Sequence, residues 1–408
     1  MTTMTTTSPP PTRFREAEAR GRRLGRPLRA VAAIQEVDEA LMTTIGERLT
    51  ARDELGAELA HAMRLRVGSP GRVTHADLRT ALHDGIDAVA EPAPALVEFL
   101  AHVSAVPDWV DWDLLHEGGE VFNRFGQNAA DVLTQLSLVG GYRFGGPTDL
   151  LVATGGLTGG STRRRLAETQ KWATTLSERD ALRPGGEAWR LTLHVRAMHA
   201  LVNASFEPRW ATERWGLPIN RTDLAATLGL FDAVTLLGVR GLGVPVSRRD
   251  SQAAMHLWKY VGWLLGVDDD WLVDSERERH RINYHLLLAQ SDVSEAGPRL
   301  AGAVVGAQVE RHYDHLPALR RRFERERLLS MLTVFLGPQS MRELGLPVRP
   351  PWAFAYVVPL NVLRYRSVGR TPWGRRHLDR WGRRVSASVL RSYYGDDVEQ
   401  HLGPLGTG

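Results

Sequence analysis

The feature that most constrains this chain is the spacing of its apolar residues. In the segment AIQEVDEALMTTIGERL, Ile34, Val37, Leu41 and Ile45 recur every three to four positions. That period places them on one stripe of an α-helix. The same pattern marks helices over residues 94–105, 112–138, 162–176, 187–205, 251–265, 271–290, 317–335 and 377–393. Pro317 suits the first turn of its helix, where a missing N–H costs nothing. Turn signals fall between these segments at Gly68-Ser-Pro-Gly71, Gly145-Gly-Pro147, Gly159-Gly160, Pro184-Gly-Gly186 and Gly297-Pro298. Trp189, Leu191, Leu193 and Val195 alternate as a strand would. However, Leu191, Val195, Met198 and Val202 form a helical stripe, and the Ala-, Met- and Leu-rich continuation favours helix. No run of short alternating strands, no βαβ alternation and no repeat period competes with this reading. The expected fold is all-α, one large helical domain over residues 31–395. A Thr/Pro- and Arg-rich N-terminal tail (1–30) and a C-terminal tail (396–408) are expected to be flexible.

Composition narrows the chemistry. The chain has no cysteine. Disulfides, thiolate zinc sites, iron–sulfur clusters, cysteine nucleophiles and covalent c-type haem are thereby excluded. Its bases are arginines apart from Lys171 and Lys259, and the net charge is only +4, which does not argue for nucleic-acid binding. The longest uncharged stretches, residues 328–341 and 350–363, run to about 14 residues. A bilayer span needs roughly 20, so no transmembrane segment is expected. The Arg22-Arg23 pair is not followed by an apolar region, so no export signal is read and a cytoplasmic location is expected. Secretion by another route stays open.

Two segments can carry chemistry. No GxSxG elbow, Walker A loop, HExxH or dinucleotide fingerprint is present. His312 and His315 have a metal-compatible spacing but sit among charges, and read better as a solvated face. His280 and His285, five apart, read as structural. In Thr162-Arg-Arg-Arg-Leu-Ala-Glu-Thr169, Arg165 and Thr169 project from one helix face with Glu168 beside them. Spacing alone favours an amphipathic surface helix with Arg–Glu pairing. In His194-Val-Arg-Ala-Met-His199-Ala-Leu-Val-Asn203, Arg196, His199 and Asn203 share a face, while His194 points about 140° away. Spacing alone favours a satisfied buried histidine, or part of a polar face, at 199.

Taken together these segments resemble the latex clearing protein (rubber oxygenase) family and the related oxygenases of mycophenolic acid biosynthesis. The match is R-x-x-x-T as Arg165-Leu-Ala-Glu-Thr169, followed about 30 residues later by Val195-Arg196-Ala-Met-His199-Ala200. Val106-Pro-Asp-Trp-Val-Asp-Trp112, Gly118-Gly-Glu-Val-Phe122 and Leu257-Trp-Lys-Tyr-Val-Gly-Trp-Leu-Leu-Gly-Val267 fall in the expected order, so the resemblance runs from about residue 30 to about residue 395.

The resemblance implies a globin-like core with additional helices that holds one haem b. His199 would be the axial iron ligand, with Arg165, Thr169 and Arg196 near the cofactor. The implied reaction is dioxygenase cleavage of a C=C bond in an isoprenoid-like apolar substrate, using O₂ and giving an aldehyde and a ketone. Glu168 and Asp149 are the alternative candidates for a carboxylate that takes an allylic proton. Where latex clearing proteins carry a distal lysine, this chain has Glu168, and that departure keeps a second reading open, a non-catalytic haem- or lipid-binding protein on the same fold. Residues 364–384, with eight arginines and two tryptophans, suggest weak contact with an anionic membrane or acidic partner, against the simpler reading of a solvated surface.

Overall fold

The computed structural model describes residues 9–155 and 161–394. The turn at Gly159-Gly160, the first eight residues and the expected tail at 396–408 lie outside the described residues. Within them the chain is helical throughout and forms no strand. Its first half comprises α1 (Glu18–Leu24), α2 (Arg26–Ala32), α3 (Glu39–Glu47), α4 (Glu54–Arg64), α5 (His75–Asp84), α6 (Pro94–Ser104), α7 (Trp112–Phe125), α8 (Gln127–Val132), a π-helical segment (Leu133–Val139), α9 (Pro147–Ala153) and α10 (Ser161–Thr175). The second half comprises α11 (Glu187–Phe206), α12 (Thr212–Trp215), α13 (Arg221–Phe231), α14 (Ala233–Gly241), α15 (Arg248–Leu264), α16 (Glu276–Leu288), α17 (Ala296–Ala307), α18 (Pro317–Glu343), α19 (Trp352–Ser367) and α20 (Pro372–Tyr394).

Local chemistry sets most of these boundaries. Thr74 with Asp77 and Ser247 with Asp250 form reciprocal capping boxes that open α5 and α15. Asp111, Asn220 and Ser275 accept backbone N–H groups at the starts of α7, α13 and α16. Pro317 opens α18 as expected. The helix expected across residues 112–138 is interrupted at Gly126, whose φ of 55° ends α7 and re-aims the chain into α8. The helix expected from Ile34 begins only at Glu39. Ala33 is left-handed and Asp38 is the cap, so Ile34 and Val37 reach the core from a loop.

The core is built around α7 and α15. A Cβ on Gly118 would stand 2.4 Å from the Ala253 carbonyl oxygen and 2.8 Å from Leu257 Cβ, so only glycine allows this crossing. Phe122 and Trp258 continue the same contact, with ring centroids 5.6 Å apart. Residues 221–241 are apolar and long enough to cross a membrane by length and composition. They are two core helices broken at Asp232, whose buried carboxylate stands 2.7 Å from Arg279 Nε.

The expectation of a flexible tail through residue 30 is corrected for residues 9–30. Helices α1 and α2 pack on α16. Arg13 is buried against Asp223, and Arg20 donates to the Arg143 carbonyl and to Glu343. Arginine-rich sequence looks solvated, but a planar guanidinium can be buried where carboxylates and carbonyls satisfy its fork. The C-terminal half is tied in similarly: Arg327 on α18 donates to both oxygens of Asp131 on α8, at 2.8 and 2.5 Å.

The two central histidines are structural, as the sequence suggested. His285 Nε2 accepts the Asp38 N–H at 2.9 Å, and Nδ1 lies 2.7 Å from the Arg281 carbonyl, which fixes one neutral tautomer. His280 is fully enclosed, and burial pushes its pKa down to about 4.

Two predictions follow from this packing. Asp131→Ala leaves the Arg327 charge buried and unpaired, and is expected to lower unfolding stability by about 3–5 kcal/mol in urea titration. The double variant Asp131→Leu/Arg327→Met recovers most of that loss; if the double is as unstable as the single, the pair is not the cause. His280 takes up its proton more readily unfolded than folded. Its contribution is therefore intact above the ordinary histidine pKa, and is lost progressively as pH falls from there toward about 4. The urea midpoint of the parent is expected to fall between pH 7 and 5 more steeply than that of His280→Phe, and equal slopes would remove this attribution.

Candidate functional site

Helix α11 carries the residues singled out in the sequence. Trp189, Leu193, Ala197 and Ala200 are buried on its inner side. Helix α4 lies alongside, and Gly56 lets it approach so closely that a Cβ there would sit 2.5 Å from Asp53 Oδ2 and 3.2 Å from Ala200 Cβ. The contact is locked by a two-point ion pair. Arg196 donates from Nε to Asp53 Oδ2 at 2.7 Å and from Nη2 to Asp53 Oδ1 at 2.8 Å, while Nη1 reaches the Leu264 carbonyl at 3.3 Å. Asp53 stands at the N-cap of α4 yet caps no backbone N–H; its carboxylate serves Arg196 instead. The Arg196 guanidinium, expected from the family resemblance to meet a cofactor, is thus committed to holding α4 on α11.

Beside this pair opens a cleft of about 1110 Å³, bordered by His199 on α11, by Glu58 and His61 on α4 and by Leu224 on α13. The His199 ring is half-buried, and its Nδ1 is buried without a hydrogen-bond partner. Burial pushes its pKa down to about 4, with Asp53 pulling weakly the other way. The imidazole is therefore neutral at pH 7, the form in which histidine binds a metal.

A second set of contacts aligns α10, α11 and α13. Trp172 Nε1 donates to Thr192 Oγ1 at 2.9 Å, and the Trp172 ring meets Phe231 at 5.8 Å and Trp258 at 5.8 Å. Helical spacing carries a stripe away from this cluster on each helix. On α10 it runs back through Thr169 and Glu168 to Arg165, on α11 forward through Val195 to His199, and on α13 back through Thr227 to Leu224. Helices α10 and α11 form a hairpin whose near ends meet at Trp172, and Leu224 borders the same cleft as His199. Seven helical positions advance each stripe by about 10 Å from the aromatic floor, but Arg165, Glu168, Thr169 and Thr227 are not among the residues bordering the cleft at His199. Arg165, Thr169 and Thr227 are exposed, and Leu191, Val195 and Met198 are only half-buried. An incompletely covered apolar wall between core helices is a cradle that a flat apolar cofactor would fill.

The remaining predicted residues are placed as follows. Glu168 is buried and held by Arg164 Nε at 2.9 Å, with Arg165 Nη1 3.6 Å away. The Thr169 hydroxyl donates to the Arg165 carbonyl at 3.0 Å. Asp149 accepts the Gly146 N–H at 2.9 Å and so caps α9; it is not among the residues bordering the cleft. His312 and His315 lie in an exposed loop rather than a helix, with His312 Nε2 2.7 Å from Arg163 Nη1. No cluster of three or more metal-ligating side chains occurs among the described residues. The sequence reading missed the α4 wall and Thr227. An ordinary amphipathic helix gives no sign of what it will cover, and a threonine four residues from a phenylalanine carries no motif.

Comparison with known proteins extends this picture. The family model described as "ER-bound oxygenase mpaB/B'/Rubber oxygenase, catalytic domain" matches residues 125–371, well over half of the chain. A rubber oxygenase from Streptomyces sp. (strain K30) is 24% identical over 189 residues, which is 43% of this chain and 44% of that protein, so the aligned part spans less than half of the relative. The solved structure of latex clearing protein LCP in the closed state superposes with a TM-score of 0.64 at 19% identity, over 87% of this chain and 92% of the other, and shows the fold to be shared. The family match includes α10, α11 and α13 and excludes α4 and α20. This chain belongs to the mpaB and rubber oxygenase catalytic-domain family.

Proposed function

We propose that this chain is a haem-b-dependent oxygenase that cleaves a C=C bond of an isoprenoid-like or related unsaturated apolar substrate with O₂, giving aldehyde and ketone. The observation that carries the reading is His199. It is a neutral imidazole with a buried, unpartnered Nδ1 at the border of the cleft. These residues fit haem: His199 would hold the iron, and Arg165, the exposed guanidinium of its stripe, would pair with an anionic edge of the cofactor. Haem supplies the binding and activation of O₂ when bound. The protein's part is orientation and exclusion of water. The floor of Trp172, Phe231 and Trp258 closes one end of the wall, and Leu191, Val195 and Met198 offer an apolar surface to a chain-like substrate.

One observation favours a second reading. Glu168 and Asp149, the two candidates for a proton-accepting carboxylate, are both engaged, one by arginines and one as a helix cap. A protein that binds haem or lipid without turnover would carry them in that state.

Purified full-length protein, reconstituted with haem b, is expected to show a Soret band that His199→Ala loses or shifts. No band in the parent after reconstitution would remove the haem reading. Arg165→Ala is expected to keep the fold and lower haem affinity or O₂-dependent turnover by about 10- to 100-fold, the usual cost of removing a group that supports a metal site. Haem binding with no O₂ uptake across unsaturated terpenoid and lipid substrates would favour the non-catalytic reading.

A further inference from the structure

An apolar ridge without a covering partner among the described residues lies away from the cleft, on α18 and α19. Between Trp352 and Leu363 the sequence WAFAYVVPLNVL holds no charged residue, yet one side of this helix faces outward. Tyr356, Leu360 and Leu363, at i, i+4 and i+7, are 39%, 46% and 68% exposed. The stripe is continued by ring contacts. Tyr356 stacks on Trp352 at 6.0 Å, and Trp352 meets Phe323 of α18 at 5.6 Å. Leu319, four residues before Phe323, is 63% exposed. A soluble surface scatters single apolar side chains, whereas a connected ridge across two helices marks an interaction surface.

Charge decides what the ridge meets. Arg320 and Arg322 lie beside it on α18, Arg366 in the last turn of α19 and Arg370 just past its end. All four are exposed, and none forms an ion pair within 4.0 Å among the described residues, though Glu324 and Glu326 lie within electrostatic reach of Arg320 and Arg322. The nearby acids Glu326 and Asp379 are already paired with Arg349 and Arg383. A second copy of this chain would bring the same unpaired arginines against themselves. An anionic surface would neutralise them.

We propose that the α18–α19 face docks this protein on an anionic lipid bilayer. The leucines and the Phe323–Trp352–Tyr356 rings enter the headgroup boundary, and the four arginines pair with lipid phosphates. Rings with one polar end suit that boundary, and a basic rim supplies affinity that salt screens. Docking of this kind requires no membrane-spanning segment and does not depend on haem.

Full-length protein would be sedimented with vesicles of phosphatidylcholine alone and of phosphatidylcholine containing phosphatidylglycerol, at low and high salt. Strong binding to the anionic vesicles, weakened by salt, is expected. Leu360→Ser/Leu363→Ser is expected to lower it at least tenfold with an unchanged melting curve, since both side chains are exposed. Arg320→Gln/Arg322→Gln/Arg366→Gln/Arg370→Gln is expected to lower it at least tenfold, and to flatten the salt dependence. The proposal is overturned by failure of the parent to bind anionic vesicles, or by binding that neither variant weakens. Concentration-dependent self-association lost in the leucine variant, without vesicle binding, would overturn it in favour of a second copy.

Discussion

One side chain, Trp172, sets the register of the helices that carry the candidate site. Its indole N–H is bonded to Thr192 on α11, and its ring packs on Phe231 of α13 and Trp258 of α15. A large aromatic with one polar atom can do this because it buries wide apolar faces and still satisfies its donor. Every residue counted from it along α10, α11 and α13 inherits a fixed direction. Arg165 on α10 and His199 on α11 each stand seven positions from that contact, about 10 Å along their helices by helical rise. The two-point Arg196–Asp53 pair performs the same service on the other flank, where it holds α4 against α11 beside His199.

That pair belongs to a wider pattern. Arg13, Arg20, Arg196, Arg279 and Arg327 are all buried, and each faces a carboxylate. These five brace segments that are distant in sequence. A guanidinium supports this better than an ammonium, because its fork meets both oxygens of a carboxylate while its charge is spread over a plane.

How much of this was legible in the sequence depended on where the signal lay. Helices α10 and α11 were readable because their apolar periodicity is local and their motif residues sit on them. The family could be recognised because those motifs keep their order over most of the chain. The start of α3 was misjudged because Ile34 and Val37 keep the helical period while standing in a loop; periodicity reports which residues are buried, and a loop can bury them too. The N-terminal helices were missed because Arg13 and Arg20 acquire their burial from Asp223 and Glu343, hundreds of residues away. The α4 wall was missed for the same reason. Its role depends on Asp53 meeting Arg196, a long-range pair that no window along the chain contains.

Glu168 shows where that limit bears on function. In the sequence it replaces a lysine that latex clearing proteins place beside the threonine, which suggests a reversal of local charge. The structure surrounds it with Arg164 and Arg165, one in contact and one within reach of its other oxygen. Two guanidinium groups and one carboxylate leave the cluster with one net positive charge, the sign a single lysine would give. What differs is mobility. A lysine amine sits on a flexible stem, whereas the buried Glu168 carboxylate is held by Arg164 with Arg165 close by. The substitution therefore keeps the formal sign of this cluster while removing a side chain able to swing.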